Sequence, residues 1–192
     1  DLDTDDVNVE VVDGRYQAKI GAADLPVVDV TYYGALAYCD WLAEATGEQV
    51  SLPSEFAWEY AASGGDSNSA ANYYPWGPVF FGASHSKANY VGVGGLDIYD
   101  GLSPVSTFPL YANLHDMAGN VFEWTKSINE ISDQDNIFRM LRGGSWNQPS
   151  SFLATANRQI YKDERFSDQA TGFRPIVEYR PQYALHGYKS VE

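Results

Sequence analysis

A chain of 192 residues is long enough for one domain with a substantial core, so neither a second domain nor covalent staples are expected. Hydrophobic residues supply 44% and aromatic ones 15%, with 14 Tyr and 5 Trp, which excludes a disordered chain and forecasts half-buried rings with polar tips. The formal charge of -14 removes nucleic acid and anionic membrane from the expected partners, because no basic stripe exists to release counterions.

Residues 1–6 are acidic without an apolar pattern and are expected to fray; whether residues precede Asp1 is left open. The stretch 7–20 alternates around Asp13-Gly14, with Val9, Val11, Tyr16, Ala18 and Ile20 on alternating positions, and reads as a hairpin. Pro26-Val27-Val28-Asp29-Val30 reads as a short strand. Thr31 then caps a helix over 32–45, whose Ala35, Leu36, Cys39, Leu42 and Ala43 follow helical spacing and which Gly47 stops. Cys39 is the single cysteine, so no internal disulfide can form. Its place on that apolar face predicts a small buried hydrophobe, not a nucleophile.

A second helix starts at Ser54, carries Glu55 and Glu59 in or near its positive first turn, and ends at Gly64-Gly65. Phe56 with Tyr60, and Ala57 with Ala61, form stripes at helical spacing. From 66 to 109 the pattern dissolves into Gly, Asn, Ser and Tyr. Something other than a strand ladder must fix so long a stretch, and bound metal is one candidate. No apolar run is long enough to span a bilayer, so membrane insertion is not expected and a soluble chain is; the compartment stays open, surface display and a virion included.

Further on, Arg139-Met140-Leu141-Arg142-Gly143-Gly144-Ser145-Trp146 and Gly172-Phe173-Arg174 are short runs whose glycines allow close backbone approach, and they read as neighbouring buried strands. Between them, residues 147–171 mix side chains that stack and hydrogen-bond, in a segment too long for a turn. Function is placed there, with an ordinary surface loop as the plain alternative. Other motifs are thin. Asp97 and Asp100 are no more suggestive of a glycosidase pair than any acids in so acidic a chain. Gly92-Val93-Gly94-Gly95 does not open a helix after a strand, and Ser145 lacks a nucleophile elbow. His85, His115 and His186 show no ligand spacing and are expected to be surface or hydrogen-bonded residues.

One resemblance draws these pieces together. The run from Pro26 to Val30, Ala37-Tyr38-Cys39-Asp40-Trp41-Leu42, Leu52-Pro53-Ser54-Glu55-Phe56-Ala57-Trp58-Glu59-Tyr60-Ala61-Ala62, Tyr74-Pro75-Trp76-Gly77, Asp116-Met117-Ala118-Gly119-Asn120-Val121-Phe122-Glu123-Trp124, Arg142-Gly143-Gly144-Ser145-Trp146 and Gly172-Phe173-Arg174 occur in the order that the formylglycine-generating enzyme (sulfatase-modifying factor) family shows. The chain resembles that family from about residue 26 to 177. The resemblance implies one α+β domain over 1–192 with the C-type lectin fold of that enzyme type: two main helices, short strands and much irregular loop.

Activity does not follow from the fold, which oxidases, sulfoxide synthases and binding proteins share. The family's oxidases use a cysteine pair soon after the Gly-Gly-Ser motif, because Cu(I) requires soft thiolates. Gln148 and Leu153 stand at the matching positions, so formylglycine formation is not expected; an enzymatic role is left open, leaning against. The sulfoxide synthases place iron on histidines of a separate helical domain, for which this chain has no counterpart.

Variable proteins of diversity-generating retroelements are similar in carrying the Arg-Gly-Gly-Ser-Trp, Ala156-Asn157-Arg158 and Gly-Phe-Arg landmarks, although the residues after Arg174 depart from their pattern. That resemblance implies a non-catalytic ligand-binding protein displaying 147–171 to a protein or small-molecule ligand. Trp146, Phe152, Tyr161 and Phe166 would anchor, and Phe152, Tyr161 and Phe166 serve equally well as core residues. Asn147, Gln148, Ser150, Ser151, Asn157, Gln159, Lys162, Asp163 and Arg165 would give adaptable polar contacts. The alternatives are a family oxidoreductase working without the cysteine pair and a structural module of a larger polypeptide.

The family also holds structural Ca2+ in two loop sites. The resemblance carries the first onto the side chains of Asn89 and Asp100 with the carbonyls of Tyr90 and Leu102. It carries the second onto the side chains of Asp116 and Glu123 with the carbonyls of Gly119 and Val121. Hard oxygen donors on a bendable loop suit that ion. The plainer alternative is that Asp100 starts a turn with Gly101 and Asp116 bonds local backbone.

Overall fold

The computed structural model describes residues 8–65, 73–78, 82–92, 98–131 and 136–179; Asp97, the segment 93–95 and His186 lie outside them. Strands β1 (Val9–Val12) and β2 (Arg15–Ala18) form the expected hairpin, closed by Asp13 and Gly14, both at positive φ as a tight two-residue turn requires. The run from Pro26 to Val30 forms no strand. Asp29 turns the backbone at φ 55, which interrupts the extended path that the apolar residues suggest.

Helix α1 (Tyr32–Thr46) starts where Thr31 accepts a hydrogen bond from the Gly34 N–H at 3.1 Å and stops where Gly47 turns left-handed, its N–H donating to the Ala43 carbonyl. Tyr32, Ala35 and Cys39 are its buried stripe. After β3 (Val50–Ser51), α2 (Glu55–Ala62) is capped by Ser54, which accepts from the Ala57 N–H. The Phe56 and Tyr60 stripe faces outward, at 69% and 55% exposure, while Trp58, Glu59 and Ala62 are buried. Periodicity marked the helix without choosing its face, and the buried side carries Glu59, which pairs with Arg142 at 2.7 Å.

Strand β4 (Phe122–Ile131) organises the main sheet. β5 (Ile137–Arg142) pairs with it antiparallel, β6 (Tyr161–Asp163) extends β5 antiparallel, and β7 (Thr171–Phe173) lies parallel on the other side of β4. The expectation of neighbouring strands around Arg142 and Gly172 is therefore corrected: β4 separates them. A short strand, β8 (Ile176–Val177), pairs with β3 and closes the chain back on α1's end. The core gathers Tyr32, Ala35, Cys39, Leu52, Phe122, Trp124 and Leu141 between α1 and the sheet. Two glycines set backbone distances here. A Cβ on Gly172 would lie 2.5 Å from the Val27 carbonyl oxygen, and one on Gly119 would lie 2.2 Å from that of Asn89.

The described part of the irregular stretch is tied by two buried amides. Asn89 Nδ2 donates to the Gly101 carbonyl at 2.8 Å, while Asn120 bonds Ser103 through both its oxygen and its nitrogen. Side-chain amides thus replace the ladder that the sequence lacks.

Candidate functional site

Residues 147–171 are neither free loop nor regular element. A 3-10 turn (Ser150–Leu153) opens the segment, β6 crosses its middle, and Leu153, Ala154, Thr155, Glu164 and Ala170 are buried. Glu164 is the strongest tie: it pairs with Arg139 at 2.7 Å, accepts from the Tyr33 hydroxyl, and its carbonyl accepts the first N–H of α1. Sequence reading passed over Glu164, since nothing local distinguishes it from the acids beside it.

The expected contact residues fall into groups. Trp146 donates its indole N–H to the Gln169 carbonyl, beside Asn147, which accepts from the Ser145 hydroxyl. Asn157 ties Ser151 to Gln159 by donating to the Ser151 carbonyl and accepting the Gln159 N–H. Arg165 clasps Asp163 and reaches Asn136. Asn147, Ser151, Gln159, Tyr161 and Arg165 are exposed, whereas Trp146, Gln148, Ser150, Asn157, Lys162 and Asp163 are half-buried. Phe152 and Phe166 are half-buried and pack against the core cluster, and the Lys162 ammonium lies 4.5 Å from the centre of the Phe166 ring. The Gln148 carbonyl accepts the Val91 N–H, and Leu153 is wholly buried with Tyr74, Ala88, Tyr90 and Ala118. Burial raises the Cys39 thiol above its ordinary value, away from the thiolate a nucleophile needs.

A second cluster lies on the strand β4 side of α2. Arg142, wholly buried, donates to Glu59 at 2.7 Å and to the Thr155 carbonyl, with its guanidinium over the Trp58 ring; Arg158 joins from outside, 2.8 Å from Glu59. Burial lowers the Arg142 pKa while Glu59 opposes that shift. Nearby, Glu123 accepts from the Trp58 indole at 2.7 Å and from Arg174 through two guanidinium nitrogens. Glu123 in turn raises the Arg174 pKa. Both arginines stand in the landmark runs but neither was read as an ion-pair partner, though a charged residue closing an apolar strand, as Arg142 closes β5, is itself a signal that a buried acid awaits it.

Of the expected cation ligands, Asp116, Gly119, Val121 and Glu123 line one cavity of about 540 Å³. Asp116 Oδ2 accepts the Ser106 N–H at 2.7 Å, but Oδ1 is buried without a hydrogen-bond partner, and burial raises the Asp116 pKa. An orphaned carboxylate oxygen sealed from water fits a bare cation. Glu123 is already matched by Arg174, so Asp116 is the stronger donor. In the other set, Asn89 and Tyr90 are buried, Asp100 is exposed, and the Asn89 bond to Gly101 brings the two halves together. Among the described residues no three His, Cys, Asp or Glu side chains converge, so a cation would also draw on amide and carbonyl oxygens. His85 and His115 hydrogen-bond the carbonyls of Gly92 and Phe108. Among the described residues no helix is long and apolar enough to cross a membrane.

Comparison with known proteins fits this architecture. The inactive Cα-formylglycine-generating enzyme 2 of Mus musculus is 40% identical over 131 residues, covering 64% of this chain and 38% of that protein. The structure of PvdO from Pseudomonas aeruginosa superposes with TM-score 0.70 at 27% identity, covering 90% of this chain and 69% of that one. Treponema denticola variable protein 1 superposes with TM-score 0.60 at 20% identity, covering 88% and 74%, a likeness of fold. These neighbours place the chain in the α+β, C-type lectin fold of the formylglycine-generating enzyme type. The chain spans less than half the length of the curated relatives it matches. Residues 2–179 match the model of the sulfatase-modifying factor enzyme 1-like domain, and the chain belongs to that family.

Proposed function

We propose that the chain is a non-catalytic recognition domain that presents residues 147–171 to a ligand, in the manner of the variable proteins of diversity-generating retroelements. The observation that carries this reading is the division of labour within the segment. Leu153, Thr155, Glu164 and Ala170 hold it to the core, while Asn147, Ser151, Gln159, Tyr161 and Arg165 face outward. Tyr supplies rigid amphipathic area and the amides supply adaptable bonds, the composition of a paratope. The 40% identical mouse relative is named inactive, and the only cysteine is buried in α1, so nothing in the chain offers copper a thiolate pair.

Oxygen uptake tests the absence of catalysis. The purified chain, offered Cu(I) and a thiol peptide, is expected to retain no stoichiometric copper and consume no oxygen. Copper bound near Gln148 with uptake that depends on it would overturn the reading. In the source genome, the retroelement form expects a near-repeat of the coding segment for 147–171, differing mainly at adenines, beside a reverse transcriptase gene.

Ca2+ is proposed as the brace of the scaffold, held by Asp116 and Glu123 with the carbonyls of Gly119 and Val121, and by Asn89 and Asp100 with those of Tyr90 and Leu102. The sealed Asp116 Oδ1 supports it. A ligand that binds only the native state at a hundred times its Kd stabilises by about 2.7 kcal/mol. Calcium should therefore raise the melting temperature by several degrees, and Asp116→Asn should remove most of that rise. A melting temperature indifferent to calcium and chelator would defeat it.

A further inference from the structure

The cavity beside Asp116 is too large and too apolar to be explained by an ion. Its volume of about 540 Å³ is within the range of small-molecule sites. Val27, Val30, Tyr38, Val105 and Phe173 form its walls. Val27, Tyr38 and Val105 are 58%, 42% and 49% exposed, although they are apolar, so the structure leaves this surface facing solvent. Tyr38 and Phe173 meet edge to face at 5.3 Å, giving the walls a fixed aromatic corner.

At the polar end stands Arg174. Its Nε and Nη2 are committed to Glu123 and to the carbonyls of His115 and Asp116. The remaining nitrogen, Nη1, has no hydrogen-bond partner among the described residues, is not among the sealed polar atoms, and belongs to a side chain 30% exposed. Nη1 therefore keeps N–H donors available on a side chain that lines the apolar cavity, and one of them can bond a carboxylate oxygen. Charge decides when a carboxylate is welcome. Glu123, Asp116 and Arg174 sum to one negative charge, and a divalent cation at Asp116 turns the sum to one positive charge.

We propose that this cavity is a second binding site, separate from the 147–171 surface, for an apolar and preferably aromatic carboxylate whose head bonds Arg174 and whose body lies between Tyr38 and Phe173. It rests on the calcium reading for the charge at its floor. Binding is consequently linked: the carboxylate binds more tightly in the calcium-loaded chain, and by reciprocity it tightens calcium by the same factor.

Titration calorimetry with indole-3-propionate, and with tryptamine as the same body bearing a cationic head, tests this on the intact chain. Expected is millimolar or tighter binding of the propionate that weakens at least tenfold on calcium removal, with tryptamine far weaker in the calcium-loaded chain. Tyr38→Ala, on an exposed helix face, should weaken the propionate severalfold without changing the calcium-induced shift in melting temperature. Arg174→Lys, judged only if its melting temperature shows it folded, should weaken the propionate as well. A calcium shift without propionate binding overturns this inference and leaves the calcium brace standing; no shift at all overturns both. Equal binding of the two indoles, or propionate binding indifferent to Tyr38→Ala, also overturns it.

Discussion

Arg142 carries its charge into a place where no water reaches, and the surrounding residues show what that requires. Glu59 supplies the opposing charge, Thr155 a carbonyl, and Trp58 a ring face, yet Nε and Nη1 still lack hydrogen-bond partners. Such a pair is a poor source of net stability, but breaking it is expensive because one charge is left uncompensated. Here Glu59 would retain Arg158 at 2.8 Å, so the loss should fall at the low end. Arg142→Ala is expected to cost about 3 kcal/mol, read as a lower denaturant midpoint at unchanged slope. Because Arg142 also holds the Thr155 carbonyl, amide exchange across 150–157 should rise in the same variant. A loss below about 0.5 kcal/mol, the range of ordinary surface changes, would show that the network is not structural.

At the scale of elements, what could be read from the sequence was what local chemistry decides. Thr31 and Ser54 cap, Gly47 stops, and Asp13-Gly14 turns, because each acts within a few residues of itself. β4 stayed hidden for the opposite reason. Phe122, Glu123, Trp124 and Thr125 are all buried, so the alternation that betrays a half-exposed strand is missing. Glu123 is admitted to that strand only because Trp58 and Arg174 arrive from distant segments. Of the contact residues expected in 147–171, Asn147, Ser151, Gln159, Tyr161 and Arg165 are exposed, whereas Glu164 and the cavity were not legible, since their partners come from α1, β5 and the 26–30 segment. Gly172 is where two such distant segments touch. Gly172→Ala would set a Cβ 2.5 Å from the Val27 carbonyl oxygen, against backbone that cannot swing aside. It should cost about 1–3 kcal/mol and shift the indole N–H resonance of Trp124, which donates to the Val30 carbonyl at 2.9 Å. An unmoved resonance and unchanged midpoint would mean that the 26–30 segment is not held by this contact.

For the molecule as a whole, the proposed display role requires that surface chemistry vary while the scaffold does not, and the two demands fall on different residues of one segment. Leu153 fills the space beside Gly144, where its Cδ2 would lie 3.0 Å from an added Cβ, and it touches a cluster that reaches back to Tyr74 and Tyr90. Asn147, Ser151, Gln159, Tyr161 and Arg165 contribute little to that core. A set of variants randomised at those five exposed positions should therefore keep the parent's stability to within about 1 kcal/mol in most members, given that surface changes cost about 0.5 kcal/mol or less each. Leu153→Ala should instead cost about 2–5 kcal/mol through the cavity it leaves. The same randomised set, selected against an arbitrary protein, should yield binders whose stability still matches the parent's. If most members unfold, or if Leu153→Ala is as mild as they are, the segment is part of the fold's own support, and display is not what it is for.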